Sequence, residues 1–176
     1  MADTTMMNDG YLMHHGVKGM KWGVRKQPDY ISKTKTKNGE TLYLKSNKNG
    51  ALARLIGSVS PKLKAEQNKT HNFYSYVNNK KVGSLQLYEE SPTSMNIVWG
   101  DTKKKYQGRG YMQATLKLGE EFARKQGKTK ITAELVGISP DIHTVAQKAK
   151  YKKIGEAKSQ DLMDVWGGLT LVEKKL

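Results

Sequence analysis

A glycine-rich turn stands directly before a predicted helix in the stretch QGRGYM, residues 107–112. Ser, Thr, Asp or Asn would start a helix better, so Gly108 and Gly110 need another explanation. Amides at a helix N-terminus have no intrahelical acceptor, and together with the helix dipole they favour an anion such as pyrophosphate. Glycines let phosphate oxygens approach the backbone, and Gln107 and Arg109 add side-chain donors. The pattern predicts a phosphate-binding turn, although an ordinary tight turn has the same glycine spacing.

The spacing of this turn separates it from one large class of nucleotide sites. The phosphate loop of nucleotide hydrolases needs a longer glycine spacing and a Lys-Ser or Lys-Thr end. The stretch instead resembles the acetyl-coenzyme A loop of the GNAT acyltransferase superfamily, Arg/Gln-x-x-Gly-x-Gly/Ala. Gln107 and Gly110 match that pattern, and Met112 stands where the superfamily usually has Gly or Ala.

A second stretch, YKKIGE at residues 151–156, resembles the Tyr-x-Lys-x-Gly-Phe segment of the same superfamily. Tyr151, Lys153 and Gly155 match, and Glu156 replaces the usual aromatic residue. The resemblance implies acetyl-coenzyme A as cofactor, in a splay between the strand that ends near Thr102 and the next strand. The residues implied to hold it are Thr102, Gln107, Gly108, Arg109, Gly110, Tyr111 and Met112.

The resemblance also implies catalytic roles. Tyr151 would be the general acid for the departing thiolate, and a phenol with a pKa of ~10 suits that role. The other interpretation of Tyr151 is a half-buried aromatic residue at a helix end. Glu134 and Asp101 are the candidate bases, and both could equally be solvated surface carboxylates. The helix-starting Asn of the superfamily is missing, with Ile138 or Thr144 nearest its position. Like Met112, that departure leaves open a retained fold with little activity.

Periodicity predicts the elements that must position these residues. Alternating runs predict two hairpins, with turns at Asn38-Gly39 and Asn78-Asn79, and a following strand with Met95, Ile97 and Trp99 on one face. A helical stripe predicts a helix over residues 112–126, then a strand at 130–136, a helix from about 139 to 151 and two final strands. A short helix is predicted over 51–59, ending before Pro61.

This order predicts a mixed α/β fold. The strand–helix–strand unit in the middle implies one parallel β-α-β seam in a mostly antiparallel sheet flanked by helices. It agrees with the GNAT fold from roughly Asn72 to Leu176. We expect two parts, an N-terminal appendage at residues 1–28 and a GNAT-like domain at 29–176.

Composition limits the partners. The 176 residues carry a net charge of +15, which favours an anionic partner such as nucleic acid, an acidic protein surface or a phosphorylated small molecule. Without cysteine there is no disulfide or thiolate nucleophile, and the adjacent His14-His15 lack further ligands, so no metal site is predicted. No apolar run approaches the ~20 residues that span a bilayer, and the first residues lack the pattern of a signal peptide. We expect a cytoplasmic location and no membrane partner.

The appendage contains the distinctive stretch YLMHHGVKGMKWGVRK, residues 11–26. Its glycines disfavour a stable helix, while Trp22 and Val17 favour contact with a partner. The stretch resembles a short element of proteins encoded among bacteriophage head and tail genes. That implies a phage origin, with residues 11–26 as a docking or packaging tag for a phage structural protein. The alternative is an unstructured basic leader.

Three functional hypotheses follow. The first is a phage-encoded N-acetyltransferase that uses acetyl-coenzyme A on an unknown amine or protein acceptor in the host cytoplasm. The second is a virion-associated head or tail protein, structural or ejected, that keeps the GNAT fold with little catalysis and contacts nucleic acid. The third, a nucleic-acid-binding module, ranks last because no strand pair interleaves aromatic and basic residues.

Overall fold

The computed structural model describes residues 30–47, 61–157 and 160–176. The strands within these ranges are β1 (Tyr30–Lys35), β2 (Thr41–Ser46), β3 (Thr70–Val77), β4 (Lys80–Glu89), β5 (Ser94–Thr102), β6 (Lys130–Val136), β7 (Lys152–Ala157) and β8 (Leu169–Lys175). The helices are α1 (Pro61–Lys69), α2 (Tyr111–Lys125), α3 (Pro140–Lys148) and α4 (Gln160–Trp166).

The strands form one sheet in the order β1-β2-β3-β4-β5-β6-β8-β7. In the described part of the chain, β5 and β6 pair in parallel and every other neighbouring pair is antiparallel. Helix α2 connects the two parallel strands. The predicted fold class, a mostly antiparallel mixed sheet with one parallel β-α-β seam, is confirmed.

Both predicted hairpins form. Asn78 and Asn79 have φ values of 49° and 61°, the positive values that a tight two-residue hairpin turn requires. The first hairpin turns through Gly39, where φ is 78°, and closes with a 2.8 Å hydrogen bond from Thr36 N to Glu40 O. The turn chemistry of the sequence therefore set the register of these strands.

The core lies between the sheet and α2. The predicted stripe of α2 is buried there through Leu116, Leu118, Gly119 and Ala123. A Cβ added to Gly119 would come within 2.6 Å of the Leu85 side chain on β4, so a glycine is needed for this close approach. The largest fully buried side chains are Phe73, Leu42, Leu44, Leu85, Leu87, Met95, Leu118 and Ile131.

The predicted helices differ from the structure at three places, two helices that were not predicted and one that was predicted too long. Helix α1 was not predicted, because PKLKAEQNK has no apolar stripe; Pro61 begins this helix, a position that proline tolerates. Helix α4 was not predicted in the connection between the last two strands. Helix α3 ends at Lys148, short of Tyr151, and Lys150 follows with a φ of 66°. The short helix predicted over 51–59 and the appendage, residues 1–28, lie outside the described residues.

The face predicted for Trp99 was also wrong. In the register between β4 and β5, Ile97 pairs with Leu87 and Trp99 pairs with Gln86, so Val98 is an extra residue. This β-bulge reverses the alternation. Met95 is buried in the core, whereas Trp99 is 61% exposed.

Candidate active site

The bulge opens a cleft between the two parallel strands. The strands pair only over Ser94–Ile97 and Lys130–Ala133. At the closed end, Asn96 Nδ2 donates to Thr132 Oγ1 at 3.0 Å. Beyond Ile97 the strands separate and leave a cleft of about 420 Å³.

The walls of the cleft are mostly apolar. They are formed by Ile97, Val98, Trp99, Gly100, Met112, Leu116, Ala133, Glu134, Leu135, Val136, Ser139, Ile142, Val145, Ala146, Tyr151, Trp166, Leu169 and Val172. Two predicted catalytic residues, Tyr151 and Glu134, therefore line one cleft. Met112 from the predicted cofactor loop lines it as well.

Tyr151 is held in the wall by its backbone. Its amide donates to Ala146 O at 3.0 Å, just after α3, and the residue is 8% exposed. Its hydroxyl is buried near Glu120, and no described atom lies within normal hydrogen-bond geometry of it. Burial, and then the negative charge of Glu120, raise the pKa of Tyr151 far above its usual value. The phenol therefore keeps its proton at neutral pH.

Sequence reasoning missed the acidic neighbour of this tyrosine. Glu120 lies on the buried side of α2 and is only 4% exposed. Its Oε2 accepts a 2.6 Å hydrogen bond from Lys174 Nζ on β8, and the same Nζ lies 5.6 Å from the centre of the Tyr151 ring. Its position in the sequence could have indicated a special role, because Glu120 falls between Leu116 and Ala123 on the apolar stripe of α2.

The predicted phosphate turn has the required backbone. Gly108 and Gly110 both have a φ of 76°, a left-handed conformation that favours glycine. A Cβ added at Gly108 would meet no atom within 4 Å, so the approach to this backbone is open. The first helical hydrogen bond of α2 runs from Ala114 N to Gly110 O at 3.2 Å, which leaves the amides of residues 111–113 without intrahelical acceptors.

The side chains of this turn have separate roles. Gln107 Nε2 donates to Thr102 O at 3.1 Å and ties the turn to the end of β5, while Arg109 is exposed. Tyr111 points away from solvent, and its hydroxyl donates to Glu40 Oε2 at 2.5 Å. Burial, and then this hydrogen bond, raise the pKa of Tyr111. Tyr111 therefore has only its amide to offer a cofactor.

Met112 replaces the small residue of the superfamily pattern, and Gly100 makes room for it. A Cβ added at Gly100 would lie 3.5 Å from Met112 Sδ. The larger side chain therefore packs against β5 at Gly100 and forms part of the cleft wall.

The two candidate bases differ in their surroundings. Glu134 is exposed and lines the cleft. Asp101 is not among the lining residues, and its carboxylate accepts a short hydrogen bond from the Ser84 hydroxyl on β4. The positions that lack the superfamily Asn, Ile138 and Thr144, are both exposed. The arrangement places one carboxylate and one tyrosine in the wall of the same cleft.

The sheet order, the single parallel pair and the cleft that opens between its strands define the fold of the GNAT acetyltransferases. The likeness is seen in solved structures. A GNAT family acetyltransferase from Elizabethkingia anophelis with acetyl-CoA bound matches with a TM-score of 0.61 and 16% identity, over 77% of this chain and 98% of that one. A Bacillus subtilis acetyltransferase in complex with CoA matches with a TM-score of 0.62 and 13% identity, over 77% and 99%. The spermidine/spermine N-acetyltransferase SpeG from Vibrio cholerae, in mutant form, matches with a TM-score of 0.60 and 12% identity, over 76% and 94%.

Sequence comparison adds one match, and it lies in the appendage. The model of a family of unknown function, DUF7211, matches residues 3–29. Among curated proteins, none matches the chain. In the described part of the chain, no helix has the length and apolar character to cross a membrane, and no cluster of three His, Asp or Glu side chains could hold a metal ion.

Proposed function

We propose that the protein is an acetyl-coenzyme A-dependent N-acetyltransferase. The observation that carries the proposal is that Tyr151 and Glu134 line one cleft, which opens where the two parallel strands separate. In the GNAT fold, the cleft that Tyr151 lines is the opening beside the phosphate turn.

The residues present fit acetyl-coenzyme A. The amides of Gly110, Tyr111 and Met112 would hold the pyrophosphate, with the open backbone at Gly108 and the exposed Arg109 beside them. The buried part of the apolar wall, which includes Leu116, Ala133 and Ala146, suits the uncharged arm of the cofactor. When bound, acetyl-coenzyme A supplies an acetyl group activated as a thioester.

Two residues of this chain accept and donate the protons of the reaction. Glu134 is the base, because its carboxylate is exposed in the cleft, while the Asp101 carboxylate is engaged by Ser84. Tyr151 holds a proton at Oη for the leaving thiolate, because burial raises its pKa and the phenol stays protonated at neutral pH.

Calorimetry tests the cofactor, and thiol release tests the reaction. We expect the full chain to bind coenzyme A and acetyl-coenzyme A, and to release free thiol from acetyl-coenzyme A when primary amines are added. The variant Glu134→Gln should bind the cofactor normally and transfer acetyl slowly. A silent titration with both forms of the cofactor would remove the enzyme proposal.

We further propose that residues 3–29 form a separable docking element in a phage-encoded protein. The match of a family model to these residues alone supports a module of its own. The resemblance of HHGVKGMKWGVRK to phage head and tail elements suggests the partner, a phage structural protein, and the host cytoplasm or the virion as the location. Incorporation into phage particles of the full chain, compared with a chain lacking residues 1–28, tests this. Equal incorporation would remove the docking role.

A further inference from the structure

The charge of the cleft is opposite to the charge of the chain. The chain has a net charge of +15, yet no lysine, arginine or histidine is among the described residues that line the cleft. Glu134 is the single carboxylate in that set. A cation therefore meets attraction at Glu134 and no repulsion from the walls, whereas an anion there would face a carboxylate in an apolar setting.

Two tryptophans line the same cleft. Trp99 is turned away from the core by the bulge at Val98 and is 61% exposed. Trp166 ends α4 and is 45% exposed; its carbonyl accepts a 3.0 Å hydrogen bond from Ile138 N, which holds this end of α4 next to the end of β6. Exposed aromatic faces beside a carboxylate are suited to an organic cation with an apolar body.

We propose that the acetyl acceptor is a small primary amine, bound as its ammonium ion, with an aromatic or aliphatic body and no acidic group. The ammonium group is held by the Glu134 carboxylate, and the body packs on Trp99 and Trp166. The inference rests on the proposed N-acetyltransferase function and names its substrate class. An amino acid is excluded because its carboxylate would meet Glu134, and a compound with several positive charges finds no second carboxylate among the described residues of the walls.

The probe is 2-phenylethylamine, titrated by calorimetry into the full chain with and without saturating coenzyme A. Phenylalanine has the same body with an added carboxylate, and ethylamine has the cation without the body. We expect 2-phenylethylamine to bind, and each of the other two to bind at least about tenfold more weakly. Equal binding of phenylalanine would overturn the proposal.

Single-residue variants test which side chains contact the amine. Glu134→Gln should weaken 2-phenylethylamine binding, while Glu121→Gln, which removes a carboxylate of α2 outside the cleft, should leave it unchanged. Trp99→Ala should weaken binding about threefold to thirtyfold, and Trp99→Phe should restore most of it. Trp99 is exposed, so neither change disturbs the core. Binding unaffected by both Glu134→Gln and Trp99→Ala would show that the amine lies elsewhere.

The same measurements separate this inference from the enzyme proposal. Binding of 2-phenylethylamine without acetyl transfer would overturn the enzyme proposal and keep the recognition. Acetyl transfer to other amines, with no binding of 2-phenylethylamine, would overturn the inference and keep the enzyme.

Discussion

Replacing Tyr151 by Phe should raise stability while it lowers activity. In the protein without cofactor, the hydroxyl is buried and has no hydrogen-bond partner among the described residues, so the substitution removes an unpaired polar group and keeps the ring. An unpaired buried group costs about 1–3 kcal/mol. The free energy of unfolding should therefore rise by about 1 kcal/mol, which raises the melting temperature of a protein of this size by about 2–4 °C.

Tyr111→Phe is the matched control. Tyr111 is as buried as Tyr151, but its hydroxyl donates to Glu40 Oε2 at 2.5 Å. Losing a hydrogen bond to a charged group costs about 1.5–3 kcal/mol, and the lower end applies because Glu40 is only half-buried. The same Tyr-to-Phe change should therefore lower the melting temperature at this position.

The assay is thermal unfolding by circular dichroism at pH 7, followed by thiol release from acetyl-coenzyme A. Tyr151→Phe should lower kcat by about 10²–10⁴-fold with little change in cofactor affinity, because only the donated proton is lost. A lower melting temperature for Tyr151→Phe would refute the reasoning about the unpaired hydroxyl. An unchanged kcat would make Tyr151 a packing residue.

Three further predictions concern other parts of the chain. Gly110→Asp should abolish coenzyme A binding with nearly normal melting, because Asp tolerates a positive φ better than most residues but places negative charge at the phosphate turn; normal binding would disprove the turn's role. Hydrogen bonds from His71 and then Lys128 lower the pKa of Glu89, so its stabilising contribution is present above the unfolded carboxyl pKa of about 4.3 and is lost as pH falls through the lower folded value. Glu89→Gln should therefore melt lower than the parent at pH 7, with a difference that shrinks in acid; a constant difference would contradict this. Deleting residues 1–28 should leave the melting temperature of the remaining domain unchanged, and a large decrease would show that this segment packs into the domain.

Two helices, α2 and α1, show which features of the fold can be predicted from the sequence. Helix α2 was predicted to within a residue because an apolar stripe and a glycine stop are local signals. Helix α1 was missed because its nine residues carry no apolar stripe, and a hydrogen bond from Tyr88 on β4 to Glu66 contributes to holding it. Periodicity cannot report a helix that lacks an apolar stripe.

In the candidate site, too, some residues could be predicted from the sequence and others could not. The glycines of the phosphate turn were found because left-handed backbone restricts residue type at a single position. Glu120, the buried acidic neighbour of Tyr151, was missed because its Lys174 partner comes from a distant strand.

By itself, the sequence determined the strands, the turns, the main helix and the glycine turn before it, because each depends on the conformational preferences of a few neighbouring residues. The cleft, in contrast, is formed only by the tertiary structure. The extra residue Val98 in β5 shows itself only in the pairing with β4, and it both exposes Trp99 and marks where β5 and β6 part. Glu134 and Tyr151 line one cleft because β6 and the end of α3 pack around that opening, a relation between distant segments that no local pattern encodes.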